Sequence, residues 1–105
     1  MNQNHIYKQI KDTVYEYLPN CKVLLFGSRA RLDYNPNSDY AILVVTPNTI
    51  APKDKMNLES AISKQLVYLI KAPFDVLLHS QNEVDLKKNS KGFIVFHALK
   101  DAIEL

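Results

Sequence analysis

Residues 22–46 read KVLLFGSRARLDYNPNSDYAILVVT, and this stretch decides the fold. Lys22 to Phe26 is short, largely apolar and closed by Gly27, which suits a buried strand better than a helix of barely one turn. Ser28 to Arg31 has room for a helical turn. The following Asp33-Tyr34-Asn35-Pro36-Asn37-Ser38 is dense in turn formers and reads as a loop. Asp39 then opens Tyr40-Ala41-Ile42-Leu43-Val44-Val45, an apolar run with β-branched residues that Thr46-Pro47-Asn48 ends, so a second strand is expected there.

Working outward, Ile6, Ile10, Val14 and Tyr17 recur at helical spacing, which predicts an amphipathic helix over 4–18 that Pro19-Asn20 stops. Leu58, Ile62, Leu66 and Leu69 repeat the pattern over 53–70, with Pro52 where a first helical residue would stand. Phe74-Asp75-Val76-Leu77-Leu78 reads as a third strand. Ser80 and Glu83 have the spacing of a capping box for a short helix, and Phe93, Phe96 and Ile103 suggest a last helix over roughly 90–104. Helices and strands in this order make an α/β chain, with one small sheet and helices in two layers.

A length of 105 residues predicts a single domain over 1–105. Hydrophobic residues at 47%, charged residues at 23%, and only two glycines and five prolines give a folded globular composition. The longest strictly apolar run is Ala41 to Val45, against the ~18 residues or more that a membrane span needs. Met1-Asn2-Gln3-Asn4 lacks a signal peptide's apolar segment, so the chain reads as cytoplasmic. Cys21 is alone, which excludes an internal disulfide and a cysteine-based zinc site. A net charge of +2 does not make a nucleic-acid-coating surface, and direct nucleic acid binding is not expected.

Three features carry chemistry. Asp75 lies inside an apolar run, where an ionised carboxylate needs a positive partner to offset desolvation, either a metal ion or a buried lysine or arginine. Asp39 stands at the mouth of an apolar strand. Gly27-Ser28 follows a strand directly, so it is either an ordinary turn or one whose amides and hydroxyl face a phosphate, with Arg29 and Arg31 beside it. Carboxylates on neighbouring strands can hold magnesium, which in turn holds a triphosphate cradled by the turn. His79 shares the alternating face of Asp75 but reads foremost as a surface residue at a strand end; His5 and His97 read as surface or partly buried. Tyr7, Tyr15 and Tyr17 read as helix packing, and Cys21 as a small buried hydrophobe.

Together these residues resemble the minimal nucleotidyltransferase (MNT) family of the DNA polymerase beta superfamily, whose hallmark is Gly-Ser, ten residues, Asp-x-Asp and a later strand carboxylate. Gly27-Ser28, the ten residues Arg29 to Ser38, Asp39-Tyr40-Ala41 and Phe74-Asp75-Val76 fall on that pattern, and the likeness spans about residues 5–104. It implies the two-layer nucleotidyltransferase fold, a small mixed β-sheet packed with helices. By the same resemblance, Gly27 and Ser28 would hold the phosphates of ATP, and Asp39 and residue 41 would hold two Mg2+ ions. Asp75 would share in metal binding and take the acceptor's proton, with Arg29 or Arg31 adding a phosphate contact. Stand-alone members of this kind act as antitoxins, moving AMP from ATP onto a tyrosine hydroxyl of a HEPN ribonuclease toxin.

The sequence departs from the pattern at one decisive place: Ala41 stands where the second aspartate belongs. Positions 39 and 41 share one strand face, and alanine offers no oxygen ligand there. The loss implies more than a hundredfold in rate, about 2.7 kcal/mol or more of barrier. Two origins fit: a naturally degenerate copy that only binds, or an aspartate changed to silence turnover, which the intact Gly27, Ser28, Asp39 and Asp75 favour. The competing functional class is a noncatalytic module that inhibits or scaffolds its partner by contact. Leu32, where the family often has glycine, is a milder departure.

Overall fold

The computed structural model describes residues 3–105. Along the chain run α1 (Gln3–Tyr17), β1 (Lys22–Phe26), α2 (Ser28–Arg31), β2 (Tyr40–Thr46), α3 (Pro52–Ile70), β3 (Phe74–Ser80), α4 (Gln81–Lys87), α5 (Ile94–Leu99) and β4 (Ile103–Glu104). The strands form one mixed sheet in the order β3-β2-β1-β4. β1 is antiparallel to β2 and β4, while β2 and β3 are parallel, as the α3 crossover between them requires. No described helix is long and apolar enough to cross a membrane.

Period-two alternation sorts the strand residues onto two faces. Val23, Leu25, Tyr40, Ile42, Val44, Val76 and Leu78 pack with Ile10 and Val14 of α1 and Ile62 and Leu66 of α3, which form the helical layer. The opposite face carries Leu43 and Val45, covered by Val84 of α4 and Val95 of α5. Ile42, Leu43 and Val44 are completely buried, so each stabilises the fold by roughly 1.5–3 kcal/mol.

The predicted elements stand with boundaries shifted by a residue or two, and Ser80 with Glu83 forms the full capping box at the start of α4. The last helix is a correction. Only Ile94–Leu99 is helical, and Ile103–Glu104 turns back as a strand that pairs Leu25 with Ile103 and Leu24 with Glu104. The outer edge of β1 would otherwise be left open with unpaired backbone groups, and Ile103–Glu104 pairs with it.

His79 is also corrected. It is neither at the site nor on the surface but buried near the far end of β3, about 13 Å along the strand from Asp75, with Nδ1 lacking a partner. Burial, then the charges of Lys55 and Lys87, pushes its pKa below the usual histidine value, while Glu83 opposes them weakly. Glu83 is itself held below the ordinary carboxylate range, first by the Ser80 N–H that it accepts at 2.8 Å and then by Lys55.

Leu32 ends α2 with φ +66°, a left-handed backbone that costs a side-chain-bearing residue about 1 kcal/mol and glycine almost nothing, which accounts for the preference at this position. Leu32 is also 62% exposed, so its side chain contributes little burial. Leu32→Gly is expected to raise stability by up to about 1 kcal/mol in chemical denaturation.

The pH dependence of stability follows from His79 and Glu83. With a lowered folded pKa, His79 stays neutral while the unfolded chain takes up its proton, so stability falls as pH drops through about 6.5. Glu83 adds a second loss at lower pH, as its folded-state carboxylate is protonated. Thermal unfolding should show the first fall between about pH 7 and 5, and His79→Leu should flatten it while leaving the second.

Candidate functional site

β1 leaves the sheet at the same edge where β2 and β3 enter it. Phe26 lies opposite Ala41, and Ala41 opposite Asp75, so one row across the sheet joins the three strands at that edge. Ala41 and Asp75 project on the face away from α1 and α3, beyond the part that α4 and α5 cover. Asp39 stands two residues before Ala41 at the entrance to β2.

The turn after β1 completes the edge. Gly27 has φ 76° and ψ −157°, a conformation that glycine tolerates and other residues pay for. It caps the single turn of α2, and its carbonyl accepts from the amides of Ala30 and Arg31. A Cβ built on Gly27 would sit 3.8 Å from the Ala41 Cβ. Position 41 therefore lies between the Gly-Ser turn on one side and Asp75 on the other.

Among the described residues, neither the Ser28 hydroxyl nor the Asp39 and Asp75 carboxylates have a hydrogen-bond or ion-pair partner. Both carboxylates are exposed. The partner expected for Asp75 is accordingly not needed, because the strand end projects past its helical cover and the carboxylate keeps its hydration. No three His, Cys, Asp or Glu side chains among the described residues gather to hold a metal ion.

The two arginines separate. Arg31 is half-exposed at this edge and pairs with Asp101 at 2.6 Å and Asp33 at 3.0 Å. Asp101 also accepts from the Gly27 amide at 3.3 Å, so one carboxylate ties the turn to its arginine. Arg29, expected beside the phosphates, is buried instead. Its guanidinium donates to the carbonyls of Ser38 at 3.0 and 3.2 Å and Pro36 at 3.5 Å, and lies 4.2 Å from the Tyr34 ring centroid and 4.3 Å from that of Tyr40.

Asp101 escaped sequence reading because nothing local links it to a turn 74 residues earlier, and because it falls within the span read as helix. Two cavities of about 210 Å3 each lie at the opposite end of the sheet, lined in common by Asn20, Thr46 and Pro47 and by none of the expected site residues. Cys21 lines one of them as a buried thiol whose pKa burial pushes up, which keeps it unreactive.

The family model described as Polymerase beta, Nucleotidyltransferase matches residues 8–101, nearly the whole chain. The protein belongs to that nucleotidyltransferase family. No curated protein matches it in sequence. Among solved structures, it is similar to a protein from Sulfolobus solfataricus assigned as a nucleotidyltransferase, with 27% identity and a TM-score of 0.62 over 95% of this chain and 76% of that one. The same fold occurs in the complex of a tri-AMPylated Shewanella oneidensis HEPN toxin with an MNT antitoxin, at 12% identity and a TM-score of 0.67 over 98% of this chain and 71% of that one. It occurs again in a toxin–antitoxin structure with AMP-PNP, at 19% identity and a TM-score of 0.61 over 99% and 72%.

The turn itself is testable by substitution. Gly27→Ala meets no clash, since 3.8 Å is ordinary contact, so its whole cost comes from the backbone: about 1–3 kcal/mol of stability, read from the denaturation midpoint.

Proposed function

We propose that this chain is a nucleotidyltransferase-type antitoxin that acts in the cytoplasm, with ATP as nucleotide and a HEPN ribonuclease toxin as partner. The observation that carries the reading is the row joining Phe26, position 41 and Asp75, with Gly27 against position 41 and Asp39 two residues before it at the entrance to β2. Support comes from the similar folds found with an AMPylated HEPN toxin and with AMP-PNP.

In the reaction of this class, an acceptor hydroxyl, in this reading a tyrosine of the toxin, attacks the α-phosphorus of ATP. The new O–P bond forms as the bond to pyrophosphate breaks, and the hydroxyl proton passes to a base. In this reading Gly27 and Ser28 bind and orient the phosphates through the Ser28 hydroxyl and the Ser28 and Arg29 amides, those of Ala30 and Arg31 being taken by the Gly27 carbonyl, while Arg31 stands at the same edge paired with Asp33 and Asp101. In this reading Asp75, opposite position 41, receives the proton, and Asp39, at the entrance to β2, supplies further oxygen.

Magnesium in this family's sites neutralises phosphate charge, and here the two aspartates lack the third carboxylate that would complete its binding. The Ala41 form is therefore an impaired transferase. Ala41 equally favours a second reading, in which the chain neutralises its partner by contact alone.

Substitution at position 41 separates the two. Ala41→Asp, incubated with labelled ATP, magnesium and a HEPN-type candidate partner, is expected to label that partner at least a hundredfold faster than the Ala41 form, about 2.7 kcal/mol of barrier. Background labelling from a folded variant and a competent partner would instead leave the contact inhibitor standing.

A further inference from the structure

Arg29 is 8% exposed, and among the described residues it forms no ion pair with a carboxylate. A buried guanidinium is costly unless its charge is compensated, and here compensation comes from backbone carbonyls and two aromatic rings. Those carbonyls belong to Pro36 and Ser38, the residues that lead the loop into Asp39. The Ser38 carbonyl is part of the peptide bond to Asp39 itself, and it accepts from both Nε and Nη2 of the guanidinium.

We propose that Arg29 is the positioning residue for Asp39, holding the ten-residue spacer so that this aspartate arrives at the edge occupied by the Gly-Ser turn. The inference rests on the reading of Asp39 as a functional carboxylate.

The loop's own hydrogen bonds are local. Asn35 N–H donates to Ser38 Oγ, Asn37 N–H to Asn35 Oδ1, and Ser38 N–H to the Asn35 carbonyl. These bonds shape a turn but do not say where it sits. The loop's ends are anchored by backbone bonds, Asp33 N–H to the Ser28 carbonyl at 3.2 Å and Tyr40 N–H to the Pro73 carbonyl at 2.9 Å, and Gln3 donates to the Tyr34 hydroxyl at 3.3 Å. Between those ends it is Arg29, one residue from Ser28, that holds the Pro36 and Ser38 carbonyls and so ties the approach to Asp39 to the Gly-Ser turn.

The rings extend the tie to the third strand. Tyr34 and Tyr40 both lie against the guanidinium, and Tyr40 also stacks on Phe74 with centroids 4.9 Å apart. Tyr40 follows Asp39 and Phe74 precedes Asp75, so an aromatic layer on the α1 and α3 face backs the carboxylates. Lysine would not substitute, because a point charge supplies neither the planar fork nor the stacking surface. A carboxylate held in advance spares the ordering that a mobile one undergoes at each binding event.

The test compares Arg29→Ala and Arg29→Lys with the parent, each with Ala41 kept and with Ala41→Asp, below the unfolding transition. Hydrogen exchange of the amides of residues 37–40 is measured against that of residues 43–45 in the middle of β2. Mn2+ affinity is measured by electron paramagnetic resonance in the Ala41→Asp background.

Both variants are expected to speed exchange in 37–40 at least tenfold with 43–45 unchanged, and to weaken Mn2+ binding about tenfold. Tyr34→Ala removes one ring from an exposed position and should move the loop in the same direction even where Arg29→Ala does not fold. Unchanged loop exchange, or loop and strand exchange rising together, would overturn the proposal, as would full rescue by lysine. If Ala41→Asp with Arg29 intact binds no Mn2+, the metal reading of the edge falls, and the exchange ratio alone decides the role of Arg29.

Discussion

The middle strand β2 is hydrogen-bonded on both sides, antiparallel to β1 and parallel to β3, and everything else in the molecule is placed by that double pairing. Its side chains are buried on both faces, so a slip of one residue would exchange the residues packed under α1 and α3 with those packed under α4 and α5. Register is thereby fixed, and with it the alignment of Phe26, Ala41 and Asp75. The site is a consequence of core packing, because the same register that buries Ile42 and Val44 brings position 41 beside both the Gly27 turn and Asp75.

The edge is assembled from parts of very different sequence separation. The Gly-Ser turn and its helical turn are local, imposed by the positive φ of Gly27. Asp39 is delivered by a loop shaped by asparagine and serine turns, anchored at its ends to the Ser28 and Pro73 carbonyls and held between them by a buried arginine. Asp75 arrives through the α3 crossover, and Asp101 through the final return of the chain to the edge of β1. Arg31 thus stands between two carboxylates, each drawn from a different part of the chain, and keeps a fixed place despite its exposure.

The site's weak point is equally physical. A row of carboxylates on one strand face repels itself and is useful only with cations, so exposed aspartates left unpaired at a sheet edge are poor stabilisers of a fold. Asp39 and Asp75 fit that description. The alanine at position 41 puts no further charge beside them.

The strand and helix elements were legible in the sequence because burial imposes periods of 2 and 3.6 on apolar residues, and the glycine, serine and aspartates could be recognised by their spacing. The sequence also shows by itself that Ala41 breaks the carboxylate pattern. It could not assign Arg29 and Arg31, which look alike two residues apart, since only the packed structure shows that one is buried against tyrosine rings and loop carbonyls while the other is half-exposed and paired with Asp33 and Asp101. Nor could it show that Asp75 lies exposed, that His79 is buried, or that the chain end closes the sheet through β4 and Asp101. Each of these depends on which surface another element covers, and that is set by contacts between residues far apart in the chain.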